Sequence, residues 1–266
     1  MSQTQTKTVK SEAEKSKKIE VAIPQKDISQ VLKTLSILVE EATFSFTNEG
    51  VHVRCMDASH VGLLDIALPN ANFEKYEVEN DVQVAVRLDD SIKMINLFEP
   101  ISMVRISYDD DYPNILNFHT RSESYKIRTI EVNKAESPLP KIPYDSNIKF
   151  DCHEITEADF VKQLRKIETI SGYVTFETNN NWFNLSGKGD AGDVLITNER
   201  GQVSIKKRDD NSKSTYSLEY LLPFLKTLQK DRTIEIDYST AKPLRIRAHL
   251  DGSAFMDFYL APRVED

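Results

Sequence analysis

Four short stretches carry residue types that do chemistry in other proteins. Asp57, Ser59 and His60 supply the acid, nucleophile and base of a hydrolase triad, but a triad needs its three groups to converge in space, and neighbours in one turn seldom do so. Asp109, Asp110 and Asp111 offer hard oxygens for a divalent cation, yet they lie between Ile106 and Pro113, where a solvated hairpin turn is expected. The run from Gly187 to Asp193 is glycine-rich like a phosphate loop. It lacks the G-K-[ST] ending and no helical pattern follows it, so a flexible hairpin is the better reading. Cys55 and Cys152 are the only cysteines, far apart and without C-x-x-C or H-x-x-x-H spacing, so neither a disulfide framework nor a structural zinc is expected. No catalytic residue, metal ligand or cofactor site is assigned from these residues. The Asn184-Leu185-Ser186 sequon has no meaning in an intracellular chain.

The elements around these stretches form a tail and two similar halves. Residues 1 to 18 hold five lysines against Glu12 and Glu14 and almost nothing apolar, so disorder is expected there. That segment carries +3 of a net charge of −8, which leaves the remaining 248 residues at −11. Any basic function of the folded part must therefore be regional. With 266 residues, 39% apolar and 29% charged, the chain is long enough for two medium domains. It contains no apolar run of spanning length and its first residues do not resemble a signal peptide, so an intracellular protein is expected.

Sliding the sequence on itself by 130 residues sets Leu88, Ile92, Ile95, Val104, Ile106, Tyr108 and Pro113 on Leu218, Leu222, Leu225, Ile234, Ile236, Tyr238 and Pro243. Phe44 and Phe46 fall on Val174 and Phe176. With one slip, Val31, Leu32, Leu35 and Leu38 fall on Phe160, Val161, Leu164 and Ile167. Helical spacing predicts helices over 27–41, 89–98, 157–170 and 217–229, opened by Asp27, Asp89, Thr156 and Ser217. Period-two segments such as Val104-Arg105-Ile106 and Leu244-Arg245-Ile246-Arg247 predict antiparallel strands, and the fold class is α+β. The expected layout is a basic tail over 1–17, domains over 18–132 and 145–266, and an extended three-proline connector over 133–144.

Charge placement on the helices points further. Acids crowd the first turns, while Lys33, Lys93, Lys162, Arg165, Lys166 and Lys226 fall in middles and ends. If the four helices share one side of the sheets, that side attracts a polyanion without reading its bases. A solvated helix face accounts for the same charges equally well.

From Lys18 to Asp266 the sequence resembles the proliferating cell nuclear antigen family, the sliding clamps of archaeal and eukaryotic DNA replication. The segment Cys55 to Leu63 looks like the family's M-D-x-S-H-V-x-L motif, Tyr125 to Val132 precedes a connector like its interdomain loop, Pro243-Leu244 stands in the last sheet, and Tyr259 to Asp266 is similar to its Y-L-A-P-[KR]-[IV]-E-[DE] terminus. The resemblance implies two β-α-β-β-β units per domain and a ring of three chains around duplex DNA, with helices inside. The six basic residues above would then meet phosphates. Joining strands would lie near Ile115 to Arg121 in one chain and Asp193 to Asn198 in the next, with Ile115, Asn117, Phe118, Val194 and Ile196 at the interface. It also implies a groove lined by Met56, His60, Val61, Leu63, Leu139, Pro140, Pro243, Tyr259, Ala261 and Pro262. That groove would take Q-x-x-[LIM]-x-x-[FY]-[FY] peptides of DNA polymerase, clamp loader, flap endonuclease and DNA ligase. Ile142 and Pro143 are alternatives to Leu139 and Pro140. Ser29 and Gln30 replace a lysine pair frequent in the family's first helix, and Pro223 should kink the fourth helix or mark its early turn. The location would be cytoplasm in an archaeon or nucleus in a eukaryote. Homotrimer is the expected assembly, while a ring of different chains and a monomeric adaptor remain open.

Overall fold

The structure is a computed structural model that describes residues 18–109, 111–132, 151–179, 182–199, 203–207 and 212–264. The tail over 1–17 and the connector over 133–144, with the groove candidates Leu139 and Pro140 and their alternatives Ile142 and Pro143, lie outside the described residues.

The first half runs β1 (Lys18–Pro24), α1 (Gln25–Leu35), β2 (Glu41–Thr47), β3 (Gly50–Met56), β4 (Gly62–Pro69), β5 (Lys75–Val78), β6 (Val82–Arg87), α2 (Leu88–Ile95), β7 (Met103–Asp109), β8 (Ile115–His119) and β9 (Ser124–Ile130). The second repeats that order: β10 (Asp151–Thr156), α3 (Glu157–Glu168), β11 (Tyr173–Asn179), β12 (Trp182–Gly189), β13 (Gly192–Glu199), β14 (Ser204–Lys207), β15 (Lys213–Ser217), α4 (Leu218–Thr227), β16 (Thr233–Tyr238), β17 (Leu244–His249) and β18 (Phe255–Leu260). All pairings are antiparallel between neighbouring strands of two sheets. The larger sheet has the order β14-β10-β16-β17-β18-β4-β3-β2-β6-β9-β8-β7-β1-β5, the smaller β13-β12-β11-β15. The α+β class expected from the sequence is the class observed.

Burial alternates along the strands as the sequence does: in β2, Ala42, Phe44 and Phe46 point inward, and in β16, Ile234 and Ile236 do. The inward residues pack on the helices, which stand in one row, α2 against α1, α1 against α4 and α4 against α3. Thr156 caps α3 by accepting the Asp159 N–H at 3.2 Å, whereas Asp27 and Asp89 lie within the first turn of helices that begin after Pro24 and Arg87. Ser217 precedes α4 without a side-chain cap, and Pro223 lies in the interior of that helix.

The repeat can be mapped from hydrogen bonds. Gln25 N–H donates to the Ser102 carbonyl, Glu157 N–H to that of Arg232; Leu88 N–H donates to Glu40, Leu218 N–H to Gly172. The offset is therefore 132 residues through β1, α1 and β2, and 130 through β6, α2 and β7. Tyr108 and Tyr238 correspond, as the sequence indicates. Three matches change. Phe44 corresponds to Phe176, not Val174. Ile28, Leu32 and Leu35 correspond to Phe160, Leu164 and Ile167. Pro113 and Pro243 sit in turns of unequal length, since Ile106 pairs with Phe118 but Ile236 with Ile246.

Candidate functional site: open edges, groove row and helix faces

The strand edges decide what this chain can join. β18 closes on β4 of the other half, from Phe255 opposite Ala67 to Leu260 opposite Gly62. Under the repeat, β18 corresponds to β9 and β4 to β13. Among the described residues neither counterpart has such a closure: β13 pairs there with β12 alone, and β9 meets β6 only at Ile130 and Thr129, which leaves the edge from Ser124 to Arg128 open. On β13, Leu195 is 66% exposed, a large apolar side chain on an unpaired edge. The expectation for Ile115, Asn117 and Phe118 is corrected here. Their strand, β8, is bonded to β7 on one side and β9 on the other, so it has no edge to offer. Val194 and Ile196 do lie on the open strand β13, both half-buried.

The groove candidates gather on the outer face of the central sheet. Met56 is opposite Leu63, and Leu63 is opposite Tyr259, so the three form one row across β3, β4 and β18. Ala261 N–H donates to the Val61 carbonyl at 2.9 Å, extending the row past the end of β18. Leu63 is 4% exposed and forms its floor. Met56, Val61, Pro243, Tyr259, Ala261 and Pro262 are half-buried, and His60 is exposed at the tip. The next row is ionic. Arg247 grips Asp257 with two bonds of 2.7 and 2.6 Å, and the Tyr259 hydroxyl donates to the same carboxylate at 3.3 Å. Burial pushes the Tyr259 hydroxyl up to about 12, so it stays a donor at physiological pH. Arg54 and His52 flank Asp65, the direct cross-strand neighbour of Asp257.

Asp57 shapes the turn that holds His60 and Val61. Its Oδ1 accepts the N–H groups of Val61 and Gly62 at 2.8 and 2.6 Å, its Oδ2 that of Ser59 at 3.0 Å, and the Tyr220 hydroxyl also donates to Oδ2 at 3.1 Å. The carboxylate is thus filled by turn amides and serves structure, not proton transfer. His60 takes φ +59, the left-handed conformation this turn requires.

The other chemical candidates resolve into structure as well. A Cβ on Gly187 or Gly189 would meet Ile167 Cγ2 at 2.4 Å or the Ile170 carbonyl at 2.0 Å, so these glycines let β12 pass close to the end of α3. Asp109 pairs with Lys18 at 3.3 Å and accepts the Asp111 N–H at 3.1 Å; Asp110 lies outside the described residues. Burial pushes the Cys55 thiol up to about 12, far from a reactive thiolate. Among the described residues no cluster of His, Cys, Asp and Glu could hold a metal ion, and no helix is long and apolar enough to cross a membrane.

Lys33, Lys93, Lys162, Arg165, Lys166 and Lys226 are all exposed on the helix row. Lys33 and Arg165 correspond under the repeat. Lys162 and Lys166 correspond to Gln30 and Thr34, which are buried on the flank of α1 that faces α4. Sequence reasoning missed the Asp57–Tyr220 bond and the Asp257–Arg247 pair. Alternation shows that Arg247 and Asp257 each face outward, but only the strand register shows that they stand opposite each other.

Residues 19–136 match the family model described as "Proliferating cell nuclear antigen, N-terminal domain". The chain is 39% identical over 243 residues to the "DNA polymerase sliding clamp" of Nitrosopumilus maritimus, covering 90% of this chain and 95% of the relative. It is 36% identical over 241 residues to the protein of the same name from Cenarchaeum symbiosum, with the same coverage. Among solved structures, the A. fulgidus proliferating cell nuclear antigen with the C-terminal region of FEN-1 superposes with a TM-score of 0.83 at 23% identity, covering 93% of this chain and 99% of that one. The Thermococcus kodakaraensis protein gives 0.82 at 20%, covering 92% and 100%.

Proposed function

Since the chain belongs to the proliferating cell nuclear antigen family, we propose that it is a DNA sliding clamp whose copies join head to tail, as a homotrimer, around duplex DNA. One observation carries this reading: the β18-to-β4 closure made once inside the chain has its two counterpart edges, β9 and β13, left open at opposite ends. A heterologous contact repeated by rotation closes into a ring and leaves no unpaired edge. Carrying the internal register across gives Tyr125 opposite Val194, Lys126 opposite Asp193 and Ile127 opposite Gly192. The helix row continues at each junction, α3 of one copy meeting α2 of the next.

Lys33, Lys93, Arg165 and Lys226 then face the hole and touch phosphates through loose, salt-sensitive contacts, while Lys162 and Lys166 turn toward the junction. Topology holds the clamp on DNA, so a net acidic protein suffices. This function needs no catalytic group and no cofactor.

The row of Met56, Leu63, Tyr259, Val61 and Ala261 is the floor of a docking groove for partner peptides with one aliphatic and two aromatic anchors. Such peptides would come from DNA polymerase, clamp loader, flap endonuclease and DNA ligase. The relative solved with the C-terminal region of FEN-1 supports this use.

Light scattering of the purified full chain tests the ring. The expected mass is about three times 30.4 kDa. A stable mass of one chain at high concentration contradicts the homotrimer and calls for mixing with different chains.

A further inference from the structure

Inside the chain, α1 and α4 meet through neutral side chains. Thr34 Oγ1 donates to Thr227 Oγ1 at 2.8 Å, and Gln229 Nε2 donates to Gln30 Oε1 at 3.3 Å. The repeat gives each of these residues a counterpart at the open ends. Because Gln25 corresponds to Glu157 and Ser102 to Arg232, Gln30 corresponds to Lys162 and Gln229 to Glu99. A neutral amide pair within the chain thus becomes an acid and a base facing each other between copies. The strand edge does the same. Leu63 opposite Tyr259 inside the chain maps to Asp193 opposite Lys126 between chains.

All four residues are exposed, and among the described residues none of them makes an ion pair. Each end also carries an exposed apolar side chain two positions from its acid: Leu97, 56% exposed, beside Glu99, and Leu195 beside Asp193. Exposed charges of opposite sign that face each other favour one partner over others.

We infer that each ring junction is sealed by two charge pairs, Glu99 with Lys162 and Lys126 with Asp193, which make a second copy of this chain, docked head to tail, the fitting partner. One end displays Glu99 and Lys126, the other Lys162 and Asp193. Like ends brought together with helix against helix and strand against strand oppose equal charges, so in that alignment the pairs favour the head-to-tail sense. The inference rests on the ring reading and adds what specifies it.

The test is the concentration at half assembly, measured by sedimentation on the full chain, for wild type, Glu99→Lys, Lys162→Glu and the double variant. Each single variant should raise that concentration roughly tenfold or more, and the double variant should return it to within about threefold of wild type. Lys126→Asp, Asp193→Lys and their combination give an independent second arm with the same pattern. Raising salt from about 0.1 M to about 0.5 M should weaken wild type more than any single variant. Single variants that assemble like a trimeric wild type, or double variants that are no better than the singles, overturn the charge pairs and leave the ring standing. A wild type that stays monomeric removes the ring and the pairs together.

Discussion

The Tyr220 hydroxyl donates to Asp57 Oδ2 at 3.1 Å and so ties α4 of the second half to the turn between β3 and β4 of the first. Asp57 also accepts three backbone N–H groups of that turn, which holds Val61 at the edge of the groove row. Helix row and groove therefore share one hydrogen-bonded joint. Asp57→Ala leaves buried amides unpaired and should cost about 2–3 kcal/mol in urea unfolding, with a loss of peptide affinity of roughly tenfold. Tyr220→Phe removes a single bond and should cost about 1 kcal/mol. Equal stability of both variants and wild type would contradict the joint.

On the docking reading, peptide binding rests on the half-buried members of the row rather than on buried Leu63. Tyr259→Ala and Val61→Glu should each weaken binding of a labelled Q-x-x-[LIM]-x-x-[FY]-[FY] peptide by about 2–3 kcal/mol in fluorescence anisotropy. The far-ultraviolet circular dichroism should not change. Unaltered affinity in both variants would place the docking site elsewhere.

Asp257 is 2% exposed and fully committed to Arg247 and Tyr259. Asp257→Ala strands the partly buried guanidinium and should destabilise by about 3 kcal/mol. Removing both charges, with Asp257→Leu and Arg247→Met, should recover most of that loss. Thermal unfolding of the three proteins measures the difference, and a double variant as unstable as the single one would show that the pair is not the cause.

Glu157 predicts a pH effect. It is buried with Oε2 unpaired, and burial pushes its carboxyl up from the ordinary 4.5. Its counterpart Gln25 instead donates Nε2–H to the Ile95 carbonyl at 3.0 Å. A raised carboxyl pKa means that the folded chain holds the proton more tightly than the unfolded one. Stability is therefore lost as pH rises from the unfolded value through the folded one, and the loss persists above it. Glu157→Gln should stabilise by about 1 kcal/mol at neutral pH, with the gain shrinking as pH falls toward about 4. A gain independent of pH would rule out ionisation as its origin.

The sequence showed the repeat, the α+β class and the four helices, because apolar periods of two and near 3.6 survive in both halves, whereas the single row of helices is seen only in their contacts. Its register errors have a physical cause. Shifting α1 by three residues is nearly one helical turn, so offsets of 129 and 132 both keep the apolar stripe inward, and only the Gln25 and Glu157 hydrogen bonds separate them. Likewise β8 and β9 both alternate, and nothing in Ile-Leu-Asn-Phe-His marks it as the strand with neighbours on both sides. Met56, Leu63 and Tyr259 were legible as a motif set, whereas Tyr220 lies 163 residues from Asp57 and gives no local signal.

A DNA contact made only through phosphates has a defined salt signature. Lys33→Ala and Arg165→Ala, each present once per copy of the ring, should each lower the slope of log affinity against log salt by about 1 for every copy in contact with linear duplex, up to about 3, equally for any sequence. Lys162→Ala, on the junction flank, should leave that slope unchanged while weakening assembly.

Encirclement of DNA is a topological property, and one experiment tests it directly. The clamp is loaded onto nicked circular plasmid with its loader and ATP, the complex is isolated by gel filtration in high salt, and the plasmid is then cut once. An encircling ring stays with the circle and is lost from the cut DNA. Equal retention before and after cutting, or loss from the intact circle on raising salt alone, would show a protein bound to the side of DNA rather than around it.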